Sequence, residues 1–213
     1  MEALKILPAR VRIASILKKA IYNGEYRAGD ILSLTDVAAQ LGVSRTPVRE
    51  AFQQLEAEGL ITLRMNKGAV VNLIDRKFVQ DCFEMRILLE SEAAFLAAQH
   101  GMKEADSLLE RLDRLEGMIE RVSREEYEEL NQEIHLLIWN AADNAKLSAY
   151  LMELWNGPST AHSGPGIREH YIESTKEHKE ILAAIRGGDP DKARSAMKRH
   201  ISRSRDNILK LYE

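Results

Sequence analysis

The stretch Leu41-Gly42-Val43-Ser44-Arg45-Thr46-Pro47-Val48-Arg49-Glu50 constrains this chain of 213 residues more than any other. Gly42 supplies a tight turn. Ser44 stands where a side-chain oxygen can cap a helix by accepting from free backbone N–H groups, and Pro47 falls in the first turn, where a missing N–H removes no hydrogen bond. Arg45 and Arg49 are four apart and share one face. A capped helix that opens with arginines suits insertion into a DNA groove, since a guanidinium forks onto guanine edges or phosphates. The plainer alternative is a structural helix pair that carries surface arginines.

The neighbouring residues extend the pattern. Thr35 to Leu41 reads as a short helix capped by Thr35, with Val37, Ala38 and Leu41 at helical spacing. The second helix runs on through Ala51, Phe52, Leu55 and Ala57 until Gly59 ends it. This is helix-turn-helix order. Leu60–Arg64 and Ala69–Leu73 read as two strands joined by the turn Met65-Asn66-Lys67-Gly68. The Lys67-Gly68 tip could approach the phosphate backbone or the minor groove. An earlier helix over Ala9–Tyr22 completes a small core through Val11, Ile13, Ile16, Leu17 and Ile21. Together these predict a winged helix-turn-helix of three helices and a two-stranded wing, and they favour DNA binding over the plainer alternative.

On these residues the chain resembles a known family. Gly24–Leu32, Val37-Ala38, Val43–Ala51, Leu55–Ile61 and Asn66-Lys67-Gly68 look like the GntR family of bacterial transcription regulators, over about the first 72 residues. The resemblance implies that Arg45, Thr46 and Arg49 contact DNA from the recognition helix and Gly68 from the wing tip, with Ser44 and Lys67 beside them. Ala28 departs from the family, which usually has proline before Gly29, and this should loosen a turn without removing function.

Charge is unevenly spread. Residues 1–73 carry 10 Lys+Arg against 7 Asp+Glu, and the remainder 20 against 26. A mildly basic head and an acidic body fit a nucleic-acid module joined to something else. Cys82 is the single cysteine, which excludes an intrachain disulfide framework, and its apolar neighbours predict an inert core thiol. The N-terminus does not read as a signal peptide and no apolar run approaches membrane-spanning length, so the expectation is a cytoplasmic protein with no membrane partner.

Beyond the hinge expected over residues 74–77, helical periods dominate. Candidate helices are Lys77–Gln99, Lys103–Arg121, Arg124–Ala142, Ala145–Trp155, Tyr171–Arg186 and Pro190–Leu211, with Asn156–Ser159 and Ser163–Gly166 as a loop or interruption. They predict a mainly α protein: a winged helix-turn-helix domain over 1–73 and an all-α antiparallel bundle over 78–213.

Two features of the bundle stand out. Arg86 follows Val79, Cys82 and Phe83 at helical spacing and so points with the apolar face, Glu90 one turn on. A buried arginine needs an anion. It either pairs internally with Glu90 or aims its planar fork at a ligand carboxylate. Second, Asn131 and His135 lie four apart on one face among Leu130, Ile134, Leu137 and Ile138, while His178 and His200 share faces with Ile181, Leu182, Ile185 and with Ala193, Ala196, Met197. Three inward histidines on three helices can converge in a bundle core, or each can be a hydrogen-bonded core residue. Neutral imidazoles with one oxygen ligand would suit zinc, nickel, cobalt, manganese or iron. Glu177 should face away from its neighbour His178, and no His-Glu-x-x-His run occurs, which speaks against a metalloenzyme.

This half also resembles a family. Glu84-Met85-Arg86 with Glu90, Asn131 to His135, Ala142–Leu147, Glu177-His178, Ala183–Ile185, Gly188-Asp189, Ala193 and His200-Ile201 look like the FCD ligand-binding domain of the FadR subgroup of GntR regulators. The resemblance implies a divalent metal, zinc first, on Asn131, His135, His178 and His200, and a small organic acid effector bound to it with help from Arg86. Many members have aspartate where Asn131 stands, and asparagine should weaken metal retention. The expectation is a homodimeric regulator, a repressor rather than an activator and not an enzyme. It would read an inverted-repeat operator in double-stranded DNA. A regulator whose metal is purely structural is the rival reading.

Overall fold

The computed structural model describes residues 9–22, 24–65, 68–155 and 167–212. The chain divides into two compact units, separated after Lys77. No described helix is long and apolar enough to cross a membrane.

The first unit begins with α1 (Ala9–Tyr22), as its periodicity predicts. Its buried face is Ile13, Ala14, Leu17, Lys18 and Ile21, while Ile16, expected in the core, is half exposed. Lys18 takes a place on that face because the Glu58 carboxylate from the end of α3 pairs with it. Between α1 and α2 lies β1 (Ile31–Leu32), a two-residue strand that the sequence pattern did not reveal. It is preceded by a turn in which Arg27 N–H donates to the Asp30 carboxylate (2.7 Å) and Asp30 N–H to the Arg27 carbonyl (3.0 Å), so hydrogen bonds shape the turn that Ala28 leaves without a proline.

Helix α2 (Leu34–Leu41) is capped by Ser33, whose hydroxyl accepts from Asp36 N–H at 3.3 Å. Thr35, expected as the cap, lies two residues later, inside the helix. Gly42 ends α2 in the left-handed region (φ 64°), where its N–H reaches back to the helix carbonyls. Helix α3 (Arg45–Ala57) then starts with Ser44 in the N-cap position, but the Ser44 side chain makes no capping hydrogen bond. The backbone geometry predicted for it is present and the bond is not. Val48, Ala51, Phe52 and Leu55 are all fully buried, which turns the opposite face of α3 outward.

The wing is a three-stranded antiparallel sheet in the order β1-β3-β2, where β2 is Ile61–Arg64 and β3 is Gly68–Val71. Ile31 and Leu32 pair with Val70 and Ala69, so the expected two-stranded hairpin has a third strand on its edge. Gly68 has φ 82°, and a Cβ there would lie 2.1 Å from the Leu32 carbonyl oxygen. Glycine at this position is therefore required by the β1–β3 approach, whatever else it touches.

The second unit is all helical among the described residues: α4 (Arg76–His100), α5 (Ala105–Gly117), α6 (Arg124–Ala141), α7 (Ala145–Trp155), α8 (Ile167–Arg186) and α9 (Pro190–Leu209), followed by one 3₁₀ turn (Lys210–Tyr212). Ser123 and Glu126 form a reciprocal capping box at the start of α6, and Asp189 with Pro190 starts α9. Helix α8 packs on α9 and α5. Arg168 anchors its first turn by donating to the Ile119 and Val122 carbonyls (2.8 Å each), and Tyr171 stacks on Tyr127 of α6 with ring centroids 3.7 Å apart. These contacts set α6 and α8 face to face, His135 opposite His178. Cys82 is half-buried, not a core thiol, because Phe83 and Arg86 take the inward positions of α4.

Candidate functional site

In the first unit, Ser44, Arg45, Thr46 and Arg49 are exposed on the face of α3 opposite its packed side, and Gln53 is exposed one turn beyond. The scaffold thus presents a row of donors on a rigid helix. Lys67 lies outside the described residues; Gly68 is described at the start of β3.

In the second unit the three histidines do converge. His135 of α6, His178 of α8 and His200 of α9 are each at most 3% exposed, and one ligand nitrogen from each lies within 4.8 Å of the others. The Nε2 atoms of His135 and His178 are 3.2 Å apart. Two bare lone pairs repel at that distance, so the pair must share either a proton or a cation. Metal–nitrogen bonds of about 2.0–2.1 Å at tetrahedral or octahedral angles put ligand nitrogens about 3 Å apart, so this spacing fits a common ion.

The Glu90 carboxylate, fully buried on α4, bridges two partners. Its Oε1 accepts from Arg86 Nε (2.8 Å) and lies 2.6 Å from Arg86 Nη2 as an ion pair, and its Oε2 lies 2.5 Å from His135 Nδ1. Burial works to raise the Glu90 pKa, but Arg86 and His135 outweigh it and hold the carboxyl at about 2. Arg86 is itself 4% exposed and lies over the rings of Trp155 (4.9 Å) and Phe83 (5.1 Å). Of the two readings left open for Arg86, the internal pair with Glu90 is formed.

A second carboxylate does the same for His200. Glu177 Oε2 lies 2.7 Å from His200 Nδ1, and both Glu177 oxygens accept from Arg203 at 2.6 Å. Burial again opposes ionisation, but His200 and Arg203 keep Glu177 at about 2. Arg203 Nη1 also donates to His170 Nδ1 at 3.1 Å. His178 is pushed well below the ordinary imidazole range by burial and by the neighbouring His200, His135 and Arg203, and burial also lowers His200. Such imidazoles are neutral and competent as ligands at pH 7. Asn131 stands one turn before His135, half-buried, its amide without a hydrogen bond to any described residue.

The FCD domain family matches residues 81–203, and the family described as "Bacterial regulatory proteins, gntR family" matches residues 9–71. The chain is a GntR-family regulator with an FCD domain. Along its length this GntR protein is 28% identical over 210 residues to the "Probable D-xylose utilization operon transcriptional repressor" of Paenarthrobacter nicotinovorans, covering 95% of this chain and 91% of the relative. It is 27% identical over 214 residues to the transcriptional repressor RspR of Escherichia coli, covering 96% and 90%. In fold it is similar to Escherichia coli McbR/YncC, with a TM-score of 0.75 at 22% identity, over 98% of this chain and 100% of that one. These families and relatives are transcription regulators, not enzymes.

Sequence reasoning missed what surrounds the imidazoles in this FCD domain. Helical spacing alone pairs Glu90 only with Arg86 and turns Glu177 away from His178, and nothing along the last helix singles out Arg203. Glu177 turns instead to the neighbouring helix, where His200 and Arg203, three apart, share a face. That i,i+3 pair opposite an acid was the available signal.

Proposed function

We propose that this GntR regulator is a homodimeric repressor whose grip on double-stranded DNA is set by a small carboxylate bound at a divalent metal in the FCD domain. The observation that carries this reading is the convergence of His135, His178 and His200 from three helices within 4.8 Å. With Asn131 as an oxygen donor, these imidazoles would hold zinc, or nickel, manganese, cobalt or iron in its place. A divalent ion bound there supplies positive charge and open coordination positions for a ligand carboxylate. Glu90 is balanced by Arg86 and Glu177 by Arg203, so the carboxylates around the imidazoles have their own counter-ions, and the ion's charge is left for an anion. Arg86, which lies on the same buried network, is the residue we assign to that anion.

In the first unit, Arg45, Thr46 and Arg49 would read base edges, with Ser44, Lys67 and Gly68 on the backbone or minor groove. Residues 74–77 would form the hinge between a DNA-binding domain (1–73) and a metal and ligand-binding, dimerising domain (78–213). Exposed Met85 and Leu88 on α4 support a second copy of the chain covering that helix. A two-fold dimer would read an inverted repeat. The names of the Paenarthrobacter and Escherichia coli relatives support repression. The effector acts by favouring one arrangement of the dimer over another.

The test is metal content. His135→Ala combined with His200→Ala should remove bound zinc entirely by elemental analysis while duplex binding in a gel shift is kept. Full occupancy in the double variant would refute the ligand set.

A further inference from the structure

We propose that Glu90 and Glu177 are matched positioning residues: each holds one imidazole, His135 or His200, in the tautomer that turns its Nε2 toward the shared seat. Neither carboxylate would touch the ion. The inference rests on the metal reading above and deepens it.

The geometry is the same twice over. An ionised carboxylate can only accept, so the 2.5 Å contact of Glu90 Oε2 and the 2.7 Å contact of Glu177 Oε2 both require a proton on the facing Nδ1. A neutral imidazole with its proton on Nδ1 has a bare Nε2. In His135 and His200 alike, the proton on Nδ1 leaves Nε2 as the nitrogen that can offer a lone pair to an ion. Carboxylates in this position orient a ligating ring and raise its basicity.

Each carboxylate is in turn held by an arginine. Arg86 grips Glu90 within α4 through two contacts to one oxygen. Arg203 grips Glu177 across the α8–α9 interface with one bond to each oxygen, the forked geometry that fixes a carboxylate plane. The arginines therefore orient the acids, and the acids orient the rings. His178 has no such carboxylate among its described contacts. Its Nε2 lies 3.2 Å from the Nε2 of His135, so in the metal-free protein one of the two rings donates to the other.

Glu177 is the residue to test, because its side chain is 19% exposed and Arg203's 25%, so solvent can reach a partner left alone. Two readouts are used on the full chain. Two-bond ¹⁵N–¹H correlation of the metal-free protein reports which nitrogen of His200 carries the proton. Zinc titration against a chromophoric chelator reports affinity. The wild type should show His200 protonated on Nδ1. Glu177→Ala should shift His200 toward the Nε2–H form and weaken zinc binding about 10–100-fold, and Glu177→Asp should recover part of both. A purely structural role would lower the melting temperature and leave the tautomer in place. If Glu177→Ala does not fold, Glu177→Gln decides: it keeps shape and acceptor but not charge, and zinc should still bind several-fold more weakly. Unchanged tautomer or unchanged zinc affinity in a folded Glu177→Ala, or wild-type affinity in Glu177→Gln, would overturn the positioning role and leave the metal site standing. A wild type that binds no zinc would overturn both.

Discussion

The two units put charged side chains to opposite uses. In the first, Arg45 and Arg49 project from a helix whose other face, Val48, Ala51, Phe52 and Leu55, is fully buried. Their charge stays in water until a phosphate or base edge meets it. In the second, Arg86 and Glu90 are buried at 4% and 0% exposure, and their charge is spent on each other and on His135. A surface reader needs only a rigid helix beneath it. A buried site needs every member of its network, because removing one leaves another charged and dry.

That contrast predicts a graded series. The largest stability effect belongs to the buried network. Arg86→Met should destabilise the protein by on the order of 3–5 kcal/mol, read by urea denaturation, since Glu90 loses its counter-ion. A near-wild-type midpoint with a lost response to acids would instead make Arg86 chiefly a ligand group.

Acid attacks the same unit. His178 and His200 are held below the ordinary imidazole range, so the unfolded chain takes up protons first and the metal-free protein loses stability as pH falls below about 6.5. Glu90 and Glu177, held at about 2, contribute stability that is complete above the unfolded carboxylate range and is lost as pH falls from about 4.5 toward 2. Melting temperature against pH should therefore fall in two stages. A flat profile from pH 7 to 5 would contradict the buried neutral imidazoles.

In the first unit, Arg49→Ala should leave stability unchanged and weaken duplex binding by about 1–3 kcal/mol, measured by fluorescence anisotropy. Unchanged affinity would remove Arg49 from the reading face. The smallest effects distinguish two caps. Ser33→Ala should cost about 1 kcal/mol of stability, because its hydroxyl accepts from Asp36 N–H, whereas Ser44→Ala should stay within about 0.5 kcal/mol. Equal losses would mean that Ser44 caps α3 in solution.

The same contrast explains what the sequence disclosed. Helix extents were legible wherever apolar spacing was regular: α1 and α7 end where periodicity ends them. The exposure of Arg45, Thr46 and Arg49 followed from the buried stripe beside them. Strand β1 was not legible, because two residues carry no alternation and the strand exists only by pairing with Val70 and Ala69. The burial of Lys18 was not legible either, because its ion pair with Glu58 is a tertiary contact that α1 alone does not encode. Inward histidines could be read one helix at a time, but Glu177 and Arg203 join the site only across α8 and α9, a register that no single helix encodes.

The most direct measurement is the affinity of the metal-loaded protein for a duplex it has itself selected from a random pool, followed by anisotropy across a panel of small carboxylates. At least one acid should shift the wild-type affinity several-fold, and the same acid should leave the His135→Ala/His200→Ala protein unmoved. An acid response that survives intact in the double variant would contradict a metal seat that links ligand to DNA.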